Sequence, residues 1–346
     1  IGNVIIKKPG TIGMEKSPFV VLQSHLDMVH QKNNETTFDF ATEGIRMKVN
    51  GDWVKADGTT LGADNGIGVA TIMALLTSTD IPHPPLEALF TIDEETGMTG
   101  ALELKGGMLD AKIMLNLDTE DDRELTIGCA GGTDVTATGT YKEVDCKAGY
   151  TGRKLKVTGL NGGHSGMDIH KGLGNANKIM NRILLAAEDM GIQVSGVDGG
   201  SLRNAIPRES NAWVGIPADQ ADAFDDLLSD LGSAIIDEHN TTDPELELSS
   251  EECDAPDEVM DPAFQRMFLR AVQACPNGIY RMSPDVEDLV QTSNNVARIL
   301  AEAGKYQVLC LTRSSVDSEK EDEAKAIQSV FELIGADVTF SGDYPG

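Results

Sequence analysis

Short apolar runs alternate with a longer helical pattern in the first 130 or so residues of the chain. Strand signals occur at residues 19–22, 86–92 and 111–117, and residues 66–76 are small and apolar over the length of a helix. Strands that alternate with helices are typical of an α/β sheet whose strands run largely parallel. The pattern therefore predicts an α/β domain with a mixed, largely parallel sheet over residues 1–131.

After Gly131 and Gly132 the pattern changes to strands and amphipathic helices in a repeated order. Strand signals lie at 133–140, 153–157 and 212–216, with helix signals at 174–190 and 221–238. A similar order follows, with strand signals near 245–248, 289–292, 307–312 and 337–340 and helix signals at 262–275 and 318–334. The repetition predicts a second, α+β domain over residues 132–342, made of two ferredoxin-like halves.

The chain is strongly acidic, since its 346 residues include 56 acidic and 28 basic side chains and carry a formal net charge of −28. Binding to nucleic acid requires clustered basic residues, so we predict no nucleic-acid partner. No window approaches the roughly 18 unbroken apolar residues of a membrane span, so we predict no membrane partner either. The five cysteines have no C-x-x-C spacing, which fits a reducing cytoplasm rather than a zinc ribbon or a disulfide framework.

Metal-capable side chains follow three predicted strands, and a fourth lies in a glycine-flanked turn. His25 follows the first strand, Glu95 the second and Asp118 the third, while Asp64 lies between two glycines. Ligands collect at the carboxyl ends of strands in open α/β sheets, so these distant segments can converge in space. Imidazole and carboxylate groups together suit Zn²⁺, and also Mn²⁺ or Co²⁺.

This set of residues suits the hydrolysis of an amide by two metal ions. Two divalent ions about 3.5 Å apart need a bridging carboxylate and can share a hydroxide, because a bound water has its pKa lowered towards about 7. Asp64 is the natural bridge, since its small neighbours allow close approach. A separate carboxylate must accept the proton, and the adjacent Glu94 and Glu95 can divide the two tasks of base and ligand.

Each residue also has an ordinary structural explanation. A buried histidine such as His25 is usually a hydrogen-bonded core residue. The pair Glu94 and Glu95 is typical of a helix N-terminus, and Asp64 can cap a helix. The combination of four sites at strand ends and a turn nevertheless favours a metal centre.

Four motifs, in this order, resemble those of the aminoacyl-histidine dipeptidases, which belong to the aminoacylase and carboxypeptidase clan of co-catalytic zinc enzymes. The motifs are Ser24-His25-Leu26-Asp27-Met28-Val29, Gly62-Ala63-Asp64-Asn65-Gly66, Asp93-Glu94-Glu95-Thr96-Gly97-Met98-Thr99-Gly100-Ala101 and Asn116-Leu117-Asp118. The resemblance implies a zinc-peptidase-like catalytic domain with an inserted lid domain. It also implies two Zn²⁺ ions in a complete site.

The resemblance further implies a role for each residue of the centre. His25 and Asp118 bind one metal ion, Glu95 binds the other, and Asp64 bridges the two. Glu94 is the general base.

Four further residues take supporting roles by the same resemblance. Asp27 orients the ring of His25. His164, in the segment Asn161-Gly162-Gly163-His164-Ser165-Gly166, corresponds to a lid histidine that stabilises an oxyanion. Asn204 and Arg313 resemble positions that hold the free carboxylate of the substrate. Without the metal motifs, His164 would be explained by an exposed glycine-rich turn, and Asn204 and Arg313 by a structural surface role.

The leading functional hypothesis is metal-dependent hydrolysis of dipeptides, preferentially Xaa-His such as β-alanyl-histidine, by a metal-bridging hydroxide in the cytoplasm. The alternatives are a sibling aminoacylase or tripeptidase with the same chemistry, and a truncated metal-binding fragment without activity. The physiological metal, the dipeptide preference and the oligomeric state stay open, and two copies could pair as a homodimer through an exposed sheet edge.

One departure from the family pattern concerns the second metal ion. The family has a further ligand histidine in a C-terminal segment, and an N-terminal helical segment, that do not occur in residues 1–346. We therefore expect this chain to be an incomplete copy that binds the second ion poorly and has weak or no activity by itself.

Overall fold

The computed structural model describes residues 2–32, 36–119 and 123–346. The chain divides into two compact units, which are unit 1 with residues 1–125 and unit 2 with residues 126–346. None of the helices in the described ranges is long and apolar enough to cross a lipid bilayer.

Unit 1 is built on a mixed sheet with one principal helix. Its elements are β1 (Val4–Lys8), β2 (Val20–His25), β3 (Met47–Asn50), β4 (Trp53–Ala56), α1 (Ala63–Thr77), β5 (Leu86–Thr91), α2 (Thr99–Leu102) and β6 (Ile113–Asn116). The main sheet has the order β1-β5-β2-β6, and β3 and β4 form a separate hairpin. β2 pairs in parallel with both β5 and β6, whereas β1 pairs antiparallel with β5. The prediction of a mixed, largely parallel sheet is confirmed.

This sheet is held by apolar packing and by an ion pair between an edge strand and a buried carboxylate. Leu22 of β2 and Phe90 of β5 pack with Ile72 of α1, which is completely buried. Glu87 of β5 is also fully buried, and it accepts a contact from the ammonium group of Lys7 at 2.7 Å. Because β2, β5 and β6 run in the same direction, their carboxyl ends meet at one edge of the sheet.

Unit 2 contains a long antiparallel sheet and the remaining helices. Its elements are β7 (Gly131–Thr140), β8 (Glu143–Asp145), β9 (Tyr150–Thr158), β10 (Gly163–His164), α3 (Ala176–Ala186), β11 (Gln193–Gly200), β12 (Ala205–Ile206), β13 (Ser210–Pro217), α4 (Ala221–His239), β14 (Glu247–Cys253), β15 (Glu258–Met260), α5 (Pro262–Ala274), β16 (Gly278–Met282), β17 (Val290–Glu302), β18 (Lys305–Ser314), α6 (Asp317–Glu332) and β19 (Asp337–Tyr344).

The strand order β14-β9-β13-β11-β17-β18-β7-β19 confirms the two ferredoxin-like halves. The sequence β9-α3-β11-β13-α4-β14 forms the first half, and its strands lie in the spatial order 4-1-3-2. The sequence β7-α5-β17-β18-α6-β19 forms the second half with the same spatial order. The halves are nested and not consecutive as the sequence pattern suggested, because the first is inserted between β7 and α5 of the second. Pairing of β11 with β17 joins them into one sheet.

A single apolar core lies between the sheet and the helices of unit 2. Its most deeply buried members come from both halves and include Val135, Met180, Val214, Phe224, Phe268 and Phe331. Two of these helices begin where a side chain satisfies their free N–H groups. Asn175 caps α3 in this way, and Asp261 caps α5 just before Pro262.

One ionisable residue of α6 lies inside this core. Glu323 is 1% exposed, and neither of its carboxylate oxygens has a hydrogen-bond partner among the described residues. Burial, and secondarily the charge of Asp322, raises the pKa of Glu323 from its ordinary value of 4.5 to about 7. The charged form of this carboxyl group therefore opposes folding.

Replacement of Glu323 by Gln should remove a pH dependence of stability. The folded-state pKa is raised, so the contribution of Glu323 to the free energy of unfolding is most favourable below pH 4.5 and falls by about 3 kcal/mol as pH rises from there through about 7. The variant should not show this fall, which urea unfolding at pH 5 and pH 8 would measure. Glu321→Gln, at an exposed position of the same helix, is the control. Parallel pH profiles for wild type and Glu323→Gln would contradict the prediction.

Candidate metal centre

The carboxyl edge of the unit 1 sheet brings together the metal-capable residues predicted from the sequence. His25 is the last residue of β2, Glu94 and Glu95 follow β5, Asp118 follows β6, and Asp64 lies in the first turn of α1. Ligand atoms of His25, Asp64 and Asp118 lie within 4.8 Å of one another, and so do those of His25, Glu94 and Glu95. His25 belongs to both groups, so the two sets of donors meet at its imidazole.

The ring of His25 is fixed so that one nitrogen faces the carboxylates. Its side chain is 1% exposed, and Nδ1 lies 3.0 Å from the carbonyl oxygen of Asp27. A carbonyl can only accept, so Nδ1 carries a proton and donates it there. Nε2 then faces Oδ1 of Asp64 at 3.0 Å and Oδ2 of Asp118 at 3.9 Å.

Asn65 holds the carboxylate of Asp118. Its side chain is almost completely buried, and Nδ2 donates to Oδ1 of Asp118 and to the carbonyl oxygen of Leu117, each at 3.0 Å. This contact leaves Oδ2 of Asp118 directed to His25. Asp64 and Asn65 keep non-helical dihedral angles at the start of α1, and the peptide bond between them is cis.

Asp27 contacts the centre in two ways. Its main-chain carbonyl holds the His25 ring, while its carboxylate Oδ1 lies 3.6 Å from Nδ1 of that ring. The two carboxylate oxygens instead accept hydrogen bonds from the backbone N–H groups of Glu94 and Glu95, each at 3.1 Å. Asp93, with a φ of 58°, turns the chain just before them. Asp27 thus links the end of β2 to the segment after β5.

The acidic residues of this edge are poorly compensated without a cation. Burial is the first cause that raises the pKa of Glu94, Glu95 and Asp118, and neighbouring carboxylates raise the same values further. Burial lowers the pKa of His25, but the hydrogen bond to Asp64 and the nearby carboxylates outweigh it and raise the value.

The donor set fits a divalent metal ion. In the described part of the chain no lysine or arginine lies in ion-pair range of Asp64 or Asp118, and both carboxylates face the His25 ring instead. An imidazole nitrogen and several carboxylate oxygens that converge with excess negative charge are ligands for Zn²⁺, Mn²⁺ or Co²⁺. A bound cation would relieve the repulsion that raises these pKa values.

Unit 2 brings its own three predicted site residues together. β10, which contains His164, pairs with β12, so His164 lies opposite Ala205 and the backbone N–H of Ser165 donates to the carbonyl of Asn204 at 2.7 Å. Arg313 approaches the same segment, with Nε 3.4 Å from Oγ of Ser165.

The ring of His164 has a defined tautomer. Its Nδ1 accepts from the backbone N–H groups of Gly166 at 3.3 Å and Met167 at 3.1 Å. The neutral ring therefore carries its proton on Nε2, which acts as a donor. A donor of this kind suits an oxygen that gains negative charge.

Two contact residues were not identified as such from the sequence. Asn65 was part of a quoted motif, but only the structure shows its bond to Asp118. Tyr344, whose hydroxyl accepts from Arg313, gave no signal in the sequence, because it lies in a short glycine- and proline-containing segment just beyond the predicted lid domain.

A mixed sheet with such a centre at its carboxyl edge, followed by an inserted α+β unit, defines the class of metallopeptidases. The crystal structure of aminoacylhistidine dipeptidase from Vibrio alginolyticus is similar over 100% of this chain and 71% of that chain, with a TM-score of 0.79 and 47% sequence identity. The cytosol non-specific dipeptidase of Escherichia coli (strain K12) is 41% identical over 347 residues, which cover 100% of this chain and 72% of the relative. The peptidase dimerisation domain model matches residues 155–242. The chain belongs to the aminoacyl-histidine dipeptidase family, as its sequence motifs indicated.

Proposed function

We propose that the protein is a cytoplasmic enzyme that hydrolyses dipeptides, preferentially Xaa-His, with the help of two divalent metal ions. The observation that carries this proposal is the convergence of His25, Asp64, Glu94, Glu95 and Asp118 at one edge of the sheet. His25 and Asp118 would hold one ion, Glu95 the other, and Asp64 both. The bound ions would supply the positive charge that lowers the pKa of water towards about 7 and so provides a nucleophile at neutral pH.

Glu94 is the proposed general base. Its pKa is raised by burial, and then by Asp118 and Glu95, although the charge of His25 opposes this shift. A carboxylate of raised pKa is better matched to proton transfer near neutral pH than an ordinary glutamate. Glu94 would accept a proton from the attacking water and donate it to the nitrogen of the leaving amine. The bond from its backbone N–H to Asp27 fixes the position from which it acts.

Unit 2 would supply donors for the substrate. The Nε2–H group of His164 would donate to the oxygen of the peptide carbonyl as it becomes negative. Asn204 and Arg313 would bind the free carboxylate, since guanidinium and amide donors match its two oxygens.

The relatives support the substrate class and the location, and the dimerisation domain match supports a partner. Both named relatives are dipeptidases, one described as aminoacylhistidine and the other as non-specific. The cytoplasmic location rests on the description of the Escherichia coli relative as a cytosol enzyme. The match at residues 155–242 supports a homodimer of this chain.

Substrate comparison with the full-length protein tests the proposal. We expect the highest kcat/KM for β-alanyl-histidine, a lower value for dipeptides without histidine, and little turnover of a tripeptide or N-acetyl-methionine. Removal of metal with a chelator should abolish turnover, and Zn²⁺ should restore it. Faster hydrolysis of the tripeptide or of N-acetyl-methionine would instead identify a tripeptidase or an aminoacylase.

A further inference from the structure

Arg313 has no ion-pair partner among the described carboxylates, although the protein is strongly acidic. Asp134 is the acid whose pKa is affected by the charge of Arg313. It forms its ion pair with Arg203, however, whose Nε lies 3.2 Å from Asp134 Oδ2. No acidic side chain of the described residues forms an ion pair with Arg313. Its positive charge is therefore available to an anion from outside the chain.

The guanidinium group of Arg313 is held by a tyrosine hydroxyl. Its Nη1 donates to Oη of Tyr344 at 2.8 Å, a shorter contact than the 3.4 Å from Nε to Ser165. Nη2 has no hydrogen-bond partner in the part of the chain that the structure describes. Tyr344 thus fixes one side of the group and leaves donors on another side for a ligand.

Tyr344 is itself firmly placed. It pairs with Gly132 of β7, and its carbonyl oxygen accepts from Nζ of Lys320 at 2.5 Å. A side chain at Gly132 would begin 2.6 Å from the tyrosine hydroxyl and 2.7 Å from the ring, so the glycine leaves the space that the ring occupies. The hydroxyl therefore has a fixed position from which to orient Arg313.

His164 lies beside the same guanidinium group. A Cβ atom added to Gly166 would lie 3.1 Å from Cε1 of His164 and 3.3 Å from Cζ of Arg313. The proposed oxyanion donor His164 and the guanidinium group of Arg313 therefore both lie next to Gly166. A ligand that contacts both would carry a polarised carbonyl and, a short distance away, a negative group.

We propose that Tyr344 is a positioning residue that orients Arg313 towards the C-terminal carboxylate of the substrate. Tyr344 then determines the selectivity for peptides with a free C-terminus over peptides in which that group is blocked. This proposal rests on the proposed dipeptidase function and adds a residue that acts through Arg313.

The test replaces Tyr344 by Phe in the full-length protein and compares β-alanyl-histidine with its C-terminal amide. Loss of the hydroxyl should raise KM for the free dipeptide about tenfold, as expected for a hydrogen bond to a charged group, and leave kcat unchanged. Both constants for the amide should stay at the wild-type values. Tyr150→Phe, which removes a hydroxyl that donates to the carbonyl of Gly191 at 3.0 Å, is the matched control. It should change neither KM nor kcat for either substrate.

Equilibrium binding separates this proposal from the proposed function. Both compounds are titrated into Glu94→Gln with and without Tyr344→Phe, so that Kd does not depend on turnover. A dipeptide that binds to the wild-type protein but is not cleaved would contradict the dipeptidase function, while the Kd comparison would still decide the role of Tyr344. Equal shifts for dipeptide and amide, no shift for either, or no binding of both would overturn the role of Tyr344.

Discussion

Replacement of Glu94 by Gln should reduce kcat by about 10²–10⁴-fold, the contribution usual for a general base, while Zn²⁺ affinity stays near that of the wild type. Gln has nearly the same shape but cannot accept a proton. Glu95, Asp64, His25 and Asp118 remain in place as donors for the ions. Steady-state kinetics would measure the loss, and isothermal titration with Zn²⁺ would measure the affinity.

The two readouts distinguish a base from a ligand. If Glu94 held a metal ion, affinity and activity would fall together in the variant. If the variant kept more than a tenth of the wild-type kcat, another group would have to accept the proton. Glu103→Gln, at an exposed position beyond α2, serves as the control and should leave both quantities unchanged.

Replacement of Asp64 by Ala should have the largest effect on metal binding. Oδ1 of Asp64 lies 3.0 Å from Nε2 of His25, and Asp64 is the residue proposed to contact both ions. Its loss should weaken Zn²⁺ binding by more than the 10–100-fold typical of residues that only support a ligand, and activity should fall with it. Calorimetric titration and metal analysis of the dialysed protein would give affinity and stoichiometry.

A comparison with Asp118→Ala makes this prediction specific to a bridging residue. Asp118 is proposed to contact one ion, so its loss should remove one Zn²⁺ per chain, whereas loss of Asp64 should impair both. Asp80→Ala, in an exposed loop, is the control for loss of an aspartate. An Asp64→Ala protein with the wild-type stoichiometry and affinity would rule out the bridge.

Strands with continuous apolar runs were predictable, and strands rich in glycine were not. The cores of β2 and β5 were identified because their side chains are buried and apolar. β11, with the sequence Gln-Val-Ser-Gly-Val-Asp-Gly-Gly, was missed, although it joins the two halves of the unit 2 sheet. At Gly199 an added Cβ would lie 2.1 Å from the side chain of Asn177, so close packing excludes the side chain whose alternation would have revealed the strand.

The candidate site was likewise predictable from the sequence only in part. The position of His25, Glu95 and Asp118 after successive strands predicts that they meet, because the direction of parallel strands is a property of the fold class. The partners of these side chains depend on contacts between segments that are far apart in sequence. No pattern along the chain indicates the hydrogen bonds of Asn65 to Asp118, of Asp27 to the backbone of Glu94, or of Tyr344 to Arg313.

The first and last strands of unit 2 pair with each other, so the start of β7 lies beside the residues that follow β19. A Cβ atom added to Gly131, where β7 begins, would lie 2.5 Å from the backbone nitrogen of Gly346. Neighbouring ends are the condition under which a domain can interrupt a host sequence without stretching it, and under which its own chain can be circularly permuted. The first half of unit 2 meets this condition within the second half, because its first strand β9 pairs with its last strand β14, with Gly152 opposite Cys253.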